Sequence, residues 1–213
     1  MDKSKNKVKL NKKLQIISYP TFYSNCAMSM FNEHKVAQMA AYLLYKRGGR
    51  MSHLKLMKLL YLADREAMAA YGSPISGDHM VAMPHGPVLS MTLNLMDGDV
   101  ESAPNGWESW ISGKENHELS LKNNITVDDL DELSRADLDV LESVWAKFGH
   151  MTRWEIRDYT HDHCQEWKDP NGSSMPITYG QVFRALGRKD DEAAELGTLI
   201  EAERAIDKIF ATL

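Results

Sequence analysis

Apolar residues recur at intervals of three and four in two consecutive segments near the beginning of the chain. This spacing is typical of amphipathic helices. The first segment begins at Asn32 and ends at Gly48-Gly49; the second begins at Ser52, a residue type favoured at helix N-caps, and ends before Gly72. The apolar stripe of the second segment consists of Leu56, Leu59, Leu60, Ala63 and Ala67.

The second segment is apolar on more than one of its faces. A helix with this pattern is buried on several sides in a folded protein. The sequence therefore predicts a mainly α fold, a compact single-domain helical bundle around a central buried helix at about residues 52–71.

Proline and glycine residues divide the middle of the chain into short elements. Residues 79–83 suit a small strand or an extended passage, and residues 84–87 suit a rigid turn. Pro87 also suits the first turn of a helix that ends at Asp97-Gly98. Two apolar runs separated by polar residues predict a small β-hairpin at about residues 107–121.

Helix start signals mark the second half of the chain. Ser134 precedes Asp137, and Thr152 precedes Glu155, by the three-residue interval of a capping box. Together with Thr178, these signals predict three helices, which a last helix follows. We expect the four helices at about residues 134–149, 152–159, 178–187 and 190–213.

Charge is distributed unevenly along the chain. Six lysines and one aspartate fall in the first thirteen residues, so the remainder is more acidic than the overall net charge of −5. We expect residues 1–28 to form a basic, flexible arm, residues 29–187 to form the helical domain, and residues 188–213 to form a C-terminal helix that packs on the domain or extends from it.

The two cysteines, Cys26 and Cys164, lie far apart and form no CxxC pair. This usage predicts neither a disulfide framework nor a structural zinc cluster, and it fits a reducing compartment. The apolar runs are far shorter than the roughly 20 residues that span a bilayer. We therefore expect a cytoplasmic protein with no membrane partner.

The most enzyme-like cluster is His161-Asp162-His163-Cys164, with Glu166 close behind. Residues two apart on a helix point to different faces, so this spacing suits a metal site or a nucleophile poorly. A helix end that packs Trp167 is the favoured interpretation. Neither His53 nor His85 has an acid or a nucleophile at a defined offset, so we expect no enzyme and no cofactor.

The first two helices and the turn between them also resemble a helix-turn-helix, with Lys55 and Lys58 on the second helix. A recognition helix presents a polar face to base edges, whereas leucine and methionine crowd this one. An acidic body also repels phosphate. A DNA-binding regulator therefore stays an alternative, and nucleic acid is an unfavoured partner.

Seven methionines lie between residues 51 and 96. Methionine fills irregular gaps in a core, and it also forms surfaces that repack around different partners. Core filling is the favoured interpretation for any one of them, and an adaptable interface is a hypothesis for the group.

Residues 51–98 resemble the signature of the Panacea (SocA-like) antitoxin domain family. The signature combines a leucine-x-lysine-leucine-leucine-tyrosine core, an Asp or Gln soon after it, a glycine-terminated helix and a Gly-Pro-Val turn. The segments WEIRDYTHDHCQEW and PITYGQVFRALG are also similar, so the resemblance covers about residues 31–187. The matching signature residues are Leu56, Lys58, Leu59, Leu60, Tyr61, Asp64, Arg65, Tyr71, Gly72, Gly86, Pro87 and Val88.

The resemblance implies a helical domain that neutralises a toxin from an adjacent gene by direct contact, in a bacterium, a prophage or a phage. It also leaves open a protease adaptor, or a phage protein that binds another host factor.

The candidate partner-binding or motif residues fall on the second helix and on the turn that follows it. For Lys58, Tyr61 and Asp64, one interpretation is a buried polar network that holds the fold. The other is that they border a groove for the partner, together with His85 and the Gly86-Pro87 turn. The candidates are Lys55, Lys58, Tyr61, Asp64, Arg65, His85, Gly86 and Pro87.

Overall fold

A computed structural model describes residues 31–210, apart from the side chains of Asp207, Lys208 and Phe210. The predicted basic arm, residues 1–28, lies outside the described residues. The described chain is mainly α, with eight α-helices and five short strands in two sheets. The elements are α1 Glu33–Arg47, β1 Arg50–Ser52, α2 His53–Tyr71, β2 Met80–Met83, β3 Gly86–Leu89, α3 Ser90–Asp97, α4 Trp107–Trp110, β4 Glu118–Ser120, a 3-10 helix Val127–Asp129, α5 Arg135–Phe148, α6 Arg153–His163, β5 Met175–Ile177, α7 Tyr179–Ala185 and α8 Asp190–Phe210.

Both helices predicted near the beginning of the chain are confirmed. The Asn32 side chain accepts a hydrogen bond from the backbone N–H of Lys35, and Gly48 ends α1 in the left-handed conformation. Ser52 caps α2 in the same way, and Gly72 ends it with a φ of 80°. Most residues of α2 are buried, and the helix contacts α1, α5, α6, α7 and β3. The structure thus shows that α2 is buried on several sides. A helical bundle around this helix stays a prediction.

The strands form two small antiparallel sheets. In the larger sheet β2 is the middle strand, paired with β3 on one side and β5 on the other. In the smaller sheet β1 pairs with β4, so that Met51 lies opposite Leu119. The predicted short strand at residues 79–83 is thus confirmed as β2.

One sequence prediction in this region is wrong, and a second is correct only in part. Pro87 does not begin a helix, because it lies inside β3, and α3 begins at Ser90. β3 is an edge strand, where proline's missing N–H removes no ladder hydrogen bond.

The hairpin predicted at residues 107–121 is present only in part: Ile111 pairs antiparallel with Leu121, and Glu115 with Glu118. Residues 107–110 form α4, and the Glu33 carboxylate accepts the backbone N–H of Trp107 at 2.8 Å. The indole of Trp107 is buried. Residues 118–120 pair with β1, which lies far away in sequence.

The helix start signals of the second half are confirmed. The capping boxes Ser134/Asp137 and Thr152/Glu155 are both present, and Thr178 forms another with Gln181. α6 continues to His163, four residues past its predicted end. No helix within residues 31–210 combines the length and the apolar character that crossing a bilayer requires.

Two glycines allow α7 and α8 to approach each other closely. A Cβ built on Gly197 would lie 2.8 Å from the backbone nitrogen of Gly180 and 3.1 Å from its Cα. A backbone atom cannot move aside as the end of a side chain can. The contact therefore requires glycine at position 197.

We expect Gly197→Ala to destabilise the protein by about 1 to 3 kcal/mol, because the added methyl overpacks this contact. The loss should appear even though alanine is favoured over glycine in a helix by about 1 kcal/mol. Chemical denaturation measures it. Gly113→Ala is the matched control, because a Cβ there meets no atom within 4 Å. Equal stability of the two variants would contradict the prediction.

Candidate functional site

The polar motif residues of α2 turn into the protein, and the first of them is Lys55. Its Nζ donates hydrogen bonds to the carbonyl oxygens of Gly149 and Met151, at 2.7 and 2.6 Å. The residue is 6% exposed. Burial, and secondarily the charge of Arg47, lowers its pKa. Lys55 thus ties the first turn of α2 to the loop between α5 and α6.

Lys58 ties α2 to the hairpin formed by β2 and β3. It is fully buried, and its Nζ donates a hydrogen bond to the carbonyl oxygen of Pro87 at 2.7 Å. Burial lowers the pKa of Lys58 to about 7. An amine with this pKa is partly neutral at physiological pH, which reduces the cost of burying it.

Gly86 lets the hairpin approach Lys58. Its φ is +93°, which favours glycine, and a Cβ there would lie 2.8 Å from Thr160 Oγ1 and 3.1 Å from Lys58 Nζ. Both α2 and α6 therefore pack directly against the backbone of the turn. The match of Gly86 to the family motif has a physical explanation in this contact.

Tyr61 and Arg65 both donate hydrogen bonds to the carboxylate of Glu166. Glu166 Oε1 accepts the Tyr61 hydroxyl at 2.7 Å and Arg65 Nε at 2.8 Å. The carboxylate side chain is 0% exposed and the Arg65 side chain 19%. Burial and the adjacent Glu166 charge raise the pKa of Tyr61, which keeps the phenol protonated as a donor. This triad fastens α2 to the segment that follows α6.

Asp64 holds the loop that follows α2. Its Oδ1 accepts the backbone N–H groups of Ile75 and Ser76, both at 2.9 Å, and its Oδ2 accepts the Ser76 hydroxyl. Burial raises the pKa of Asp64 to about 6, although these hydrogen bonds favour the ionised form. Lys58 and Asp64 do not pair with each other, because each bonds a different loop.

In the cluster His161 to Glu166, Cys164 and Glu166 are buried and His161 is half-buried, whereas Asp162 and His163 are exposed. The His161 ring stacks on Trp167, with centroids 4.1 Å apart and planes at 2°. Trp167 Nε1 in turn donates to the carbonyl oxygen of Met83 at 3.0 Å. Burial raises the pKa of the Cys164 thiol to about 12, which disfavours a thiolate nucleophile. Among residues 31–210, no group of His, Cys, Asp and Glu side chains is placed to hold a metal ion.

His85 is the one motif candidate whose side chain is largely exposed. It lies on the turn between β2 and β3 and borders a groove of about 400 Å³. Gly86 and Pro87, beside it, are buried. The other residues that line the groove are Ser52, His53, Leu54, His117, Arg153 and Trp154.

The structure therefore separates the eight candidates into two sets. Seven of them hold loops together or lie within packed backbone, as a buried polar network does. His85 alone faces a groove together with residues that the sequence did not single out as a group. The sequence also did not identify Glu166 as the shared acceptor, because it lies 105 residues from Tyr61.

The same geometry argues against α2 as a DNA recognition helix. Lys55 and Lys58 direct their amines to backbone carbonyl oxygens inside the protein. Phosphate contacts need exposed cations.

Comparison with known families identifies one match. The model of a family described as "Antitoxin SocA-like, Panacea domain" matches residues 56–168, more than half of the 213-residue chain. The matched range contains Lys58, the hairpin turn and Glu166. No curated protein and no solved structure matches the chain significantly.

The buried amine of Lys58 predicts a specific pH dependence. An unfolded lysine titrates near pH 10.4, whereas burial lowers the pKa of Lys58 to about 7 in the folded protein. Between these values the unfolded state binds more protons, so the free energy of unfolding rises with pH. Below about pH 7 the folded state carries the full cost of the buried charge.

We therefore expect wild-type protein to gain stability relative to Lys58→Met as pH rises from about 7 to about 10, by at most about 1.4 kcal/mol per pH unit. Urea unfolding of both proteins across this range measures the difference. Lys147→Met is the control, because Lys147 lies at the surface beside Glu66. A difference between wild type and Lys58→Met that is constant with pH would show that Lys58 titrates alike in both states.

Loss of the Glu166 carboxylate should be costly. Glu166→Ala leaves the Tyr61 hydroxyl and the Arg65 guanidinium without their shared acceptor, and breaking such a buried pair costs about 3 to 5 kcal/mol. Thermal and urea unfolding measure the loss. Glu192→Ala breaks an exposed pair with Arg188 and should cost less than about 1 kcal/mol. Similar losses in both variants would be inconsistent with the anchoring role of Glu166.

Proposed function

The chain belongs to the SocA-like Panacea domain family, and from this premise we propose that it neutralises a toxin encoded by an adjacent gene through direct protein binding. In this proposal it is not an enzyme, needs no cofactor, and acts in the cytoplasm of a bacterium or of a phage-infected cell. The family match over residues 56–168 is the observation that carries the proposal.

The geometry of the motif supports a binding role. Lys58, Tyr61 and Asp64 are all fully buried, and each bonds a segment outside α2. These bonds hold the surrounding loops in fixed positions. A rigid scaffold that displays loops is suited to binding another protein, because less conformational entropy is lost when the complex forms.

The chemistry of the most enzyme-like cluster supports the same proposal. Cys164 is 1% exposed and its pKa is raised, while His161 stacks on Trp167. A nucleophile needs a lowered pKa or an adjacent base, together with access to substrate. Through Trp167, which bonds the carbonyl oxygen of Met83, the His161 ring instead stabilises the contact between α6 and the hairpin.

Two alternatives also involve protein binding. A protease adaptor would bind the toxin and shorten its lifetime, whereas a masking antitoxin would leave its lifetime unchanged or lengthen it. A phage protein that binds another host factor would have no toxic neighbour. The toxin's half-life and the identity of the adjacent gene separate these alternatives.

We expect co-expression of this protein with the product of the toxic adjacent gene to restore growth, and the two proteins to co-purify. Growth curves and affinity purification measure these outcomes. Continued growth arrest with folded protein present would contradict the antitoxin proposal. Toxin half-life after translation arrest then distinguishes masking from delivery to a protease.

The role of the motif is tested in the same assay. Lys58→Met should keep its ability to restore growth at temperatures where circular dichroism shows it folded, because Lys58 is buried and acts through the fold. Loss of rescue by the folded variant would instead show that Lys58 acts on the partner contact, either directly or through the hairpin turn that it holds.

A further inference from the structure

An exposed tryptophan stands at the beginning of α6. Trp154 is 48% exposed, and the guanidinium groups of Arg153 and Arg157 each lie 4.9 Å from its ring centroid. Tryptophan and arginine are the residue types most enriched among those that dominate the energy of protein interfaces. The two arginines also hold the ring in place, which lowers the entropy lost on binding.

Trp154 forms one wall of the groove that His85 borders. The N-terminal residues of α2, from Ser52 to Leu54, and those of α6, Arg153 and Trp154, face each other across it. Helix N-termini carry partial positive charge. The groove has a volume of about 400 Å³, which is enough room for apolar side chains of a partner.

The residues that line the groove include one arginine and no carboxylate, whereas the chain as a whole has a net charge of −5. Among the described residues, no carboxylate forms an ion pair with Arg153. Two nearby carboxylates are already engaged: Glu155 accepts the backbone N–H of Thr152 at 2.6 Å, and Glu118 pairs with Arg50 at 2.5 Å. Arg157 is paired with Asp158. Arg153 is therefore the cation available to a ligand.

We propose that this groove binds an acidic segment of the toxin, with an apolar anchor side chain against Trp154 and a carboxylate on Arg153. The inference rests on the proposed function, since the toxin is the partner. A second copy of this chain is a poorer occupant, because pairing groove to groove across a two-fold axis would bring Arg153 and its symmetry mate together.

Buried motif residues contact the segments that form both sides of the groove. His85 lies on the turn whose backbone is fixed by the bond from Lys58 to Pro87 and by the close packing at Gly86. The α6 wall is placed by the bonds of Lys55 to the preceding loop. The motif thus positions both sides of the groove.

The test measures the affinity of purified toxin for folded variants of this protein by isothermal titration calorimetry. We expect Trp154→Ala to weaken binding about 30-fold or more, as for a residue at the centre of an interface. Arg153→Glu should weaken it about tenfold, and wild-type affinity should fall as salt concentration rises.

Two control variants match these changes elsewhere on the surface. Leu199→Ala removes an apolar side chain that is 52% exposed, and Arg135→Glu reverses an arginine whose side chain is 88% exposed. Both controls should bind the toxin within about twofold of wild type. Because all four side chains are exposed, melting temperatures should remain close to that of wild type.

Hydroxyl-radical footprinting of the wild-type complex adds a test that needs no variant. Trp154 should be protected from oxidation when the toxin is bound. If wild-type protein binds the toxin while Trp154→Ala or Arg153→Glu binds within twofold of it, the inference about the groove is overturned. If wild-type protein neither binds nor neutralises the toxin, the proposed function itself fails.

Discussion

A protein that buries an amine must supply it with an acceptor or favour its neutral form, and the interior around Lys58 provides an acceptor and shifts the equilibrium towards the neutral form. The side chain is fully buried, its pKa is lowered to about 7, and its Nζ bonds the carbonyl oxygen of Pro87. Because an unbonded polar group in this position would cost several kcal/mol, the hairpin turn must lie where that carbonyl can be reached. Tyr61 likewise requires the segment after α6 to lie within hydrogen-bond distance, and Asp64 requires the same of the loop after α2. The apolar residues of α2 form the core, and its polar residues determine which loops lie against it.

The features that could be predicted from the sequence are those encoded by neighbouring residues. α1, α2 and the capping boxes at Ser134 and Thr152 rest on contacts three or four residues apart, and they were predicted correctly. The helix at Trp107 depends on a carboxylate of α1 at Glu33, 74 residues away, so the apolar runs alone placed the first strand of the hairpin there. The residues of the candidate site were likewise found from the sequence motif. Their hydrogen-bond partners, such as Glu166, could not be predicted because tertiary packing brings them together.

Methionine content illustrates why composition alone does not locate an interface. Of the seven methionines between residues 51 and 96, five are buried, and Met83 and Met91 are partly buried. Met57 packs inside and places its sulfur 3.3 Å from the backbone N–H of Leu89, at the end of β3. Their flexibility is used to fill space around short strands and turns, which regular leucine packing would fit poorly. The methionines buried in the core therefore cannot form an adaptable surface. Exposed aromatic and cationic side chains are better candidates for contact with a partner.

The part of the chain beyond the family match completes the same fold. β5, at residues 175–177, adds the third strand to the sheet whose other two strands lie inside the matched range. Tyr179 donates its hydroxyl to the carbonyl oxygen of Asp78, and Arg204 on α8 donates to that of Gly77. Both carbonyls belong to the passage between α2 and β2, close to where Asp64 holds the chain. The C-terminal segment therefore packs against the loop that Asp64 holds. Residues outside the part that the family model matches thus help to hold the motif region in place.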